Sequence, residues 1–246
     1  IVSILTCGPG EVLYTAFGHT AVRVINKQLN LDEVYNYGTF NFGEPNFYAN
    51  FALGKMKYYL NKESYQSFIE EYKYDNRSVR EQVLDISVRD AEAIVKYLEN
   101  NLKPENRYYQ YSFIYDNCAT RVRDILPRAI GMNFTFNEVI GKKELSYRNT
   151  LNEYLQHQHW ARTGINIVLG SPADSNMTNE GSMFLPDFLH SGISLAKYYG
   201  GNIVKHDVVL NAGQYPAKNP INGPLLVTIA LLGLTVVSKY FKVMNP

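Results

Sequence analysis

The chain has 246 residues, 46% of them hydrophobic, and its formal net charge is +1 at pH 7. This length allows one large domain, or a domain with an extension, and is enough to bury a core. The near-neutral charge gives no electrostatic case for nucleic-acid binding. The two cysteines, Cys7 and Cys118, are too few for a disulfide scaffold.

Cys7 follows a strand-like run of residues 1–5 and lies in a Gly-Pro-Gly setting that predicts a turn. Three roles are open for it: a packed thiol, a redox partner of Cys118, or a neighbour of an active site. Free cysteines are among the most buried residues of proteins, so we favour packing.

A strand hairpin carries the first candidate for chemistry. Residues 20–25 are mostly β-branched or small and predict a strand that is entered from a glycine, with His19 at its mouth. A second strand is predicted from Glu33 to Phe40, after a polar turn at residues 30–32. His19 is a candidate general base, and a half-buried structural histidine is the alternative.

Two further candidates lie on this hairpin. Asn36 could reach the imidazole of His19 and orient it, as an amide does in Cys-His-Asn hydrolases. Because side chains repeat on one strand face every two residues, Arg23 is expected on the face of His19. Its planar guanidinium could there bind a lipid phosphate through two hydrogen bonds. An ion pair with a nearby carboxylate is the structural alternative for Arg23.

Aromatic residues are dense between residues 46 and 74. Ser64 predicts the N-cap of a helix within this segment. We favour an aromatic core, and a lipid-facing belt is the alternative because tyrosine joins an apolar body to a polar tip. The aromatic residues are Phe47, Tyr48, Phe51, Tyr58, Tyr59, Tyr65, Phe68, Tyr72 and Tyr74.

The next two elements are architectural. Residues 77–84 predict a strand. Ser87 predicts the N-cap of a helix, with Asp90 at the reciprocal position of a capping box. Pro104 follows the end of the apolar stripe of this helix.

The second candidate for chemistry is Cys118, in a short amphipathic helix. Asp116 or Asn117 can cap this helix, and Pro127 follows where its apolar pattern weakens. Cys118 then lies in the first turn, where free backbone N–H groups and the helix dipole stabilise a thiolate. Such a position lowers the pKa of a thiol and favours a nucleophile. A small buried cysteine is the alternative.

Residues 145–157 predict a further helix, and a Gly-rich passage begins at Trp160. His157 and His159 alternate without other ligands at metal-binding spacing, so we reject a metal site there. Residues 171–181 predict a mobile polar loop. The apolar cluster at residues 183–189 is either core or a surface that meets lipid.

Residues 224–237 carry no charge, and Lys239 and Lys242 follow. The run is shorter than the ~20 residues of a full membrane span, although counting through Phe241 nearly reaches that length. A buried core helix is the alternative. The lysines after the run and the polar segment 211–223 before it favour a membrane helix with the main domain outside the cytoplasm.

Several stretches together resemble a known family. A histidine that starts a strand hairpin and precedes a nucleophile helix is similar to the circularly permuted NlpC/P60 (papain-like) group, and Asn117-Cys118 resembles the Asn-Cys of lecithin retinol acyltransferase-like members. From about Leu5 to the region of Asp187, the chain resembles the periplasmic domain of Lnb-type bacterial lipoprotein N-acyltransferases. The stretches that carry this resemblance are Leu5-Thr6-Cys7-Gly8-Pro9-Gly10, Phe17-Gly18-His19, Tyr35-Asn36-Tyr37-Gly38, Arg77-Ser78-Val79-Arg80-Glu81-Gln82 and Tyr115-Asp116-Asn117-Cys118-Ala119-Thr120-Arg121.

The expected fold is α+β: a small antiparallel sheet of permuted papain-like type, packed on the Cys118 helix, with helical extensions and a C-terminal membrane helix. The predicted division is a catalytic domain at 1–210, a linker at 211–223 and the start of a membrane region at 224–241. In the resembled family a multi-helix membrane part follows the periplasmic domain.

The resemblance implies an enzyme of the bacterial inner membrane that faces the periplasm. It would move an acyl chain from a phospholipid, through a Cys118 thioester, to the N-terminal amine of a lipoprotein, without a cofactor. We expect His19 and Asn36 as the other catalytic residues. The expected substrate-binding residues are Arg23, Tyr115, Asn117 and Arg121.

Two other functions stay open. One is a peptidoglycan amide hydrolase, because many papain-like bacterial enzymes act on that substrate. The other is a non-catalytic binding module that keeps the fold. The predicted membrane helix and aromatic belt favour lipid over wall peptide, and the His19–Cys118 pair argues against an inactive module.

Overall fold

A computed structural model describes residues 1–40, 43, 57–141 and 143–244. It confirms a mixed α+β fold whose main feature is a seven-stranded antiparallel sheet. Its strands are β1 (Val2–Cys7), β2 (His19–Asn26), β3 (Leu31–Thr39), β4 (Lys57–Ser64), β5 (Val79–Leu84), β6 (Tyr108–Gln110) and β10 (Val204–Asn211). Their order is β10-β5-β1-β2-β3-β4-β6. The sheet is larger than the small one predicted, since β4 and β6 extend one edge and β10 extends the other.

The predicted hairpin is confirmed as β2 and β3, which pair with Val22 opposite Tyr35. Alternation along these strands sorts the side chains onto two faces. Val22 and Tyr35 pack with the Cys118 helix on one face, whereas Ala21 and Val34 pack with the helix after Ser64 on the other. The sheet is therefore buried on both faces at the strands that carry His19 and Asn36.

Helices α1 (Tyr65–Tyr74) and α2 (Val88–Leu102) begin at the predicted caps, Ser64 and Ser87. The predicted capping box of α2 is only half present. The Ser87 hydroxyl accepts from the Asp90 N–H, but the Ser87 N–H donates to the Tyr198 hydroxyl at 3.2 Å. Tyr198 comes from the distant end of the domain, so tertiary packing replaces the local bond. A one-turn helix, α3 (Pro104–Arg107), leads into β6.

Helix α4 (Cys118–Ile130) begins at Asn117, which forms a full capping box with Thr120. The apolar pattern weakens before Pro127, but the helix runs through Pro127 to Ile130 and is followed by Gly131, whose φ is 75°. Buried apolar residues on both sides of Pro127 hold the last turn against the sheet, which outweighs the lost backbone hydrogen bond.

The apolar cluster at 183–189 is core, since Met183, Phe184, Leu185 and Leu189 are all buried. It connects α7 (Asn179–Ser182) to α8 (Pro186–Leu195). The polar segment before it also contains a 3₁₀ turn at Ser171–Asp174. A small second sheet is formed by β7 (Phe134–Thr135), β8 (Lys197–Tyr198) and β9 (Gly201–Asn202).

The chain divides into two compact units, residues 1–144 with 177–215 and residues 145–176 with 216–246. The second unit contains α5 (Tyr147–Tyr154), α6 (His159–Leu169) and α9 (Gly223–Met244). The Gly-rich passage that begins at Trp160 is helical up to Leu169. The sequence-based boundaries at 210 and 223 stay a prediction.

Helix α9 contains the predicted membrane run. Gly223–Phe241 is long and apolar enough to cross a membrane, and none of this stretch is buried inside the protein. The alternative prediction, a buried core helix, is therefore wrong. Phe47, Tyr48 and Phe51 of the aromatic-rich segment, for which a core was favoured over a lipid-facing belt, lie outside the described residues.

Candidate active site

Cys118 is the first residue of α4, and its thiol faces the start of β2. Backbone N–H groups of Thr20, Ala119 and Cys118 itself donate to the sulfur and lower its pKa. Burial of the side chain, which is 9% exposed, acts in the opposite direction and outweighs them, so the pKa of Cys118 is raised. The expectation of a lowered pKa is wrong for the ligand-free protein, because position at a helix start does not offset desolvation here.

Gly38 of β3 brings His19 and Cys118 together. A Cβ atom built on Gly38 would lie 3.6 Å from Cβ of Cys118 and 3.9 Å from Cε1 of His19. Both candidate residues therefore border the same small space above one α carbon. The φ of Gly38 is 89°, a conformation that side-chain-bearing residues rarely adopt. Glycine both permits this backbone and leaves the space between thiol and imidazole open.

His19 is held by Asn36 of the neighbouring strand β3. The Nε2 atom of His19 lies 2.5 Å from Oδ1 of Asn36. The amide nitrogen of Asn36 donates to a carboxylate oxygen of Glu63 at 3.3 Å, which leaves Oδ1 as the acceptor towards the histidine. Nε2 therefore carries a proton, and Nδ1 is the basic nitrogen of the neutral ring.

Burial and the charge of the nearby Arg77 lower the pKa of His19 to about 4. The hydrogen bond with Asn36 acts in the opposite direction but does not offset them. The imidazole is consequently neutral at pH 7 and able to accept a proton. Together with the raised pKa of Cys118, this makes the resting pair a thiol and a neutral imidazole rather than an ion pair.

Cys7 lies directly opposite His19 in the β1–β2 ladder and is fully buried. It ends a strand rather than forming the predicted turn. Burial raises its pKa to about 12, against the opposing effect of Arg77. The packed role predicted for Cys7 fits this environment, because almost no thiolate forms there at neutral pH.

Arg23 is engaged by two carboxylates. Its Nε and Nη2 donate to the carboxylate of Asp32 at 2.8 and 2.6 Å, and Nη1 donates to both oxygens of Glu81 at 3.1 Å. The guanidinium also lies 3.3 Å from the ring centroid of Tyr65. The structure thus contains the ion pair that the sequence left open as the alternative to phosphate binding.

The three expected substrate-binding residues of the nucleophile stretch occupy different positions. Asn117 is buried as the cap of α4, and its amide nitrogen donates to the carbonyls of Phe113 and Phe184. Arg121 forms a bidentate pair with Asp116 at 2.6 and 2.8 Å and stacks on the ring of Tyr109 at 3.6 Å. Tyr115 is 65% exposed. A role for these residues in substrate binding stays a prediction.

Four contributors to the site could not be identified from the sequence. Glu63 lies in β4, and only the register of β4 with β3 brings it to Asn36. The role of Gly38 depends on the contact between β3 and α4. Tyr109 and Tyr111 lie in and directly after the short edge strand β6. Burial raises the pKa of both tyrosines, and the charge of a Cys118 thiolate would raise it further, so the site has an aromatic wall beside the thiol.

His157 and His159, which a metal site would need as ligands, each pair with another group of the protein instead. Nε2 of His157 pairs with the side chain of Gln158, and Nε2 of His159 pairs with the Asn219 carbonyl. Across residues 1–40, 43, 57–141 and 143–244, no group of three or more His, Cys, Asp or Glu side chains is arranged to hold a metal ion.

The similarity of this chain to known proteins is found at the level of the family. Neither the curated proteins nor the solved structures contain a significant match to this chain. A family model described as the Lnb N-terminal periplasmic domain matches residues 1–153, a range that contains His19, Asn36 and Cys118. The chain therefore belongs to the Lnb N-terminal periplasmic domain family.

Proposed function

We propose that this protein is a membrane-anchored thiol acyltransferase that carries an acyl chain on Cys118. The observation that supports it most is the meeting of Cys118 and His19 above Gly38, with Nε2 of His19 fixed by Asn36. A nucleophile, a base and a group that orients the base are the elements of covalent catalysis. Membership of the Lnb family points to acyl transfer as the reaction.

The proposed fold type is the permuted papain-like arrangement of the NlpC/P60 group. In this chain the hairpin with His19 and Asn36 precedes the helix with Cys118, and the helix packs on the face of the sheet that contains Val22 and Tyr35. The order of histidine before cysteine is the feature expected of the permuted group.

The first half-reaction begins with a neutral pair. Nδ1 of His19 takes the proton from the Cys118 thiol, and the thiolate attacks an ester carbonyl of a glycerophospholipid. The backbone N–H of Cys118 at the start of α4 helps to hold the oxyanion. The intermediate then collapses, the C–O bond breaks, and His19 returns the proton to the departing alkoxide. The products are a lysophospholipid and a Cys118 thioester.

The second half-reaction consumes the thioester. The α-amino group of a lipoprotein's N-terminal lipidated cysteine attacks the thioester carbonyl, while His19 takes a proton from the nitrogen. The C–S bond breaks, an amide is formed, and the proton returns to Cys118. The donor and acceptor follow from the family resemblance, whereas the roles of Cys118 and His19 follow from their chemistry.

Glu63 acts behind Asn36 as a positioning residue for His19. Its carboxylate accepts from the amide nitrogen of Asn36 and thereby prevents the amide from rotating. A rotated amide would present N–H groups to Nε2 and would favour the wrong tautomer of His19. A carboxylate behind the amide also makes Oδ1 a stronger acceptor.

The family and helix α9 support the proposed location. A periplasmic domain joined to a helix that is long and apolar enough to cross a membrane fits an enzyme of the inner membrane that faces the periplasm. Such an anchor keeps the thiol close to its phospholipid donor.

The test is a reconstituted transfer assay. The purified chain in phospholipid micelles is given a synthetic diacylated lipopeptide with a free N-terminus, and the triacylated product is measured by mass spectrometry. We expect product with the natural chain and none with Cys118→Ala. Cleavage of peptidoglycan fragments without lipopeptide acylation would support the amide hydrolase instead. Inactivity on both, with intact folding, would support a binding module.

A further inference from the structure

Helix α6 exposes an apolar face to solvent. Trp160, Ile167 and Val168 are 63, 76 and 73% exposed. Thr163 and Gly164 are the other exposed residues of the helix. These positions follow the spacing i, i+3, i+4, i+7, i+8, so they form one continuous stripe, and none of them carries a charge.

The opposite side of α6 carries polar contacts. Nη1 of Arg148 donates to the backbone carbonyl and the side-chain oxygen of Asn166, at 2.8 and 2.9 Å. The amide nitrogen of Asn166 donates to the side-chain oxygen of Asn152 at 2.7 Å. A helix in water normally turns its polar side outwards and its apolar side inwards. Helix α6 departs from this rule, because its exposed stripe is uncharged and largely apolar while the polar side chain of Asn166 bonds on the opposite side.

The stripe begins beside the start of the predicted membrane span. Trp160 packs against the first residue of α9, since a Cβ built on Gly223 would lie 3.0 Å from its Nε1. Two hydrogen bonds fix the neighbouring turn: the Asn219 N–H donates to the Gln156 carbonyl at 3.1 Å, and Nε2 of His159 lies 2.7 Å from the Asn219 carbonyl. The start of α6 is therefore held at the level where the apolar run of α9 begins.

We propose that the exposed face of α6 is a membrane-contact surface that lies in the headgroup and acyl boundary of the bilayer. Tryptophan is enriched at that boundary because one end of its ring system is apolar and the other donates a hydrogen bond. Amphipathic helices of this kind bury their apolar face roughly 5–10 Å into the interface. Continuity with α9 identifies lipid, rather than a soluble partner, as the occupant.

Trp160 is the only tryptophan, so its fluorescence reports this site alone. The full chain is reconstituted into phosphatidylcholine–phosphatidylglycerol vesicles, and emission is recorded with lipids brominated near the headgroup or near the chain end. We expect a blue-shifted emission, stronger quenching by the shallow bromine than by the deep one, and weak quenching by aqueous iodide. A Trp160→Phe, Ile167→Trp variant should give the same depth pattern.

A double variant, Ile167→Asp with Val168→Asp, should raise iodide quenching of Trp160 and reduce bromine quenching. The folded unit should tolerate it, because both side chains are exposed. Val88→Asp, at a position that is also 76% exposed, is the matched control and should change neither signal. Protease protection of α9 verifies insertion of the span. Free access of iodide to Trp160, without bromine quenching, in vesicles where α9 is protected would overturn the proposal.

Discussion

Replacement of Arg23 by methionine separates its two candidate roles. The side chains of Arg23 and Glu81 are only 12 and 9% exposed, and Glu81 accepts two of the hydrogen bonds that Arg23 donates. Arg23→Met leaves a buried carboxylate without its partner, which typically costs about 3–5 kcal/mol. For a domain of this size, that loss corresponds to a fall in Tm of roughly 10 °C.

The assay is thermal unfolding of Arg23→Met beside a matched control, Arg80→Met. Arg80 pairs with Asp207 at 2.9 Å, but 47% of its side chain is exposed, so its removal should cost less than about 1 kcal/mol. Steady-state kinetics of the folded fraction complete the test, and we expect an unchanged KM for phospholipid. A small change in Tm together with a raised KM would refute this reasoning and restore the phosphate-binding role.

Three further predictions concern the site. Asn36→Ala should lower kcat by about 10²-fold or more, because control of the His19 tautomer is lost. Glu63→Gln keeps an acceptor for the Asn36 amide and should have a smaller effect on kcat. An equally large effect would contradict the positioning role, since the charge of Glu63 would then matter beyond holding the amide. The pKa of His19 is about 4 in the folded protein and 6.5 as its ordinary value, so the unfolded chain takes up a proton first as pH falls. The free energy of unfolding should therefore fall by about 3 kcal/mol between pH 6.5 and pH 4. His19→Asn should flatten that profile as measured by denaturant titration, and an unchanged profile would contradict the depressed pKa. Cys7→Ser should keep most of the transfer activity, and its loss without unfolding would give Cys7 a catalytic role.

Local patterns predicted the elements around the site. Alternation identified the β2–β3 hairpin, and capping residues identified the starts of α1, α2 and α4. The same alternation placed Arg23 on the face of His19 but could not show that Glu81 faces it from β5, because that contact depends on strand order. Glu63 was missed for the same reason, since only the register of β3 with β4 brings it to Asn36.

Other misses arose where tertiary packing outweighs local preference. Buried apolar residues carry α4 past Pro127, and desolvation raises the pKa of a thiol that the helix start alone would lower. Helix α6 was not predicted, and its sequence pattern alone does not show which side faces solvent. The apolar stripe can be recognised only when the exposed positions of the helix are known.

The most direct test of the central claim is the covalent state of Cys118. The purified chain is mixed with a phospholipid of defined acyl chains in the absence of any acceptor, and its intact mass is measured. The proposed chemistry predicts a mass increase of one acyl group, located at Cys118 by peptide mapping, labile to hydroxylamine and absent from Cys118→Ala, with one lysophospholipid released for each adduct. An unmodified Cys118 in folded protein, or an adduct at another residue that persists in Cys118→Ala, would contradict it.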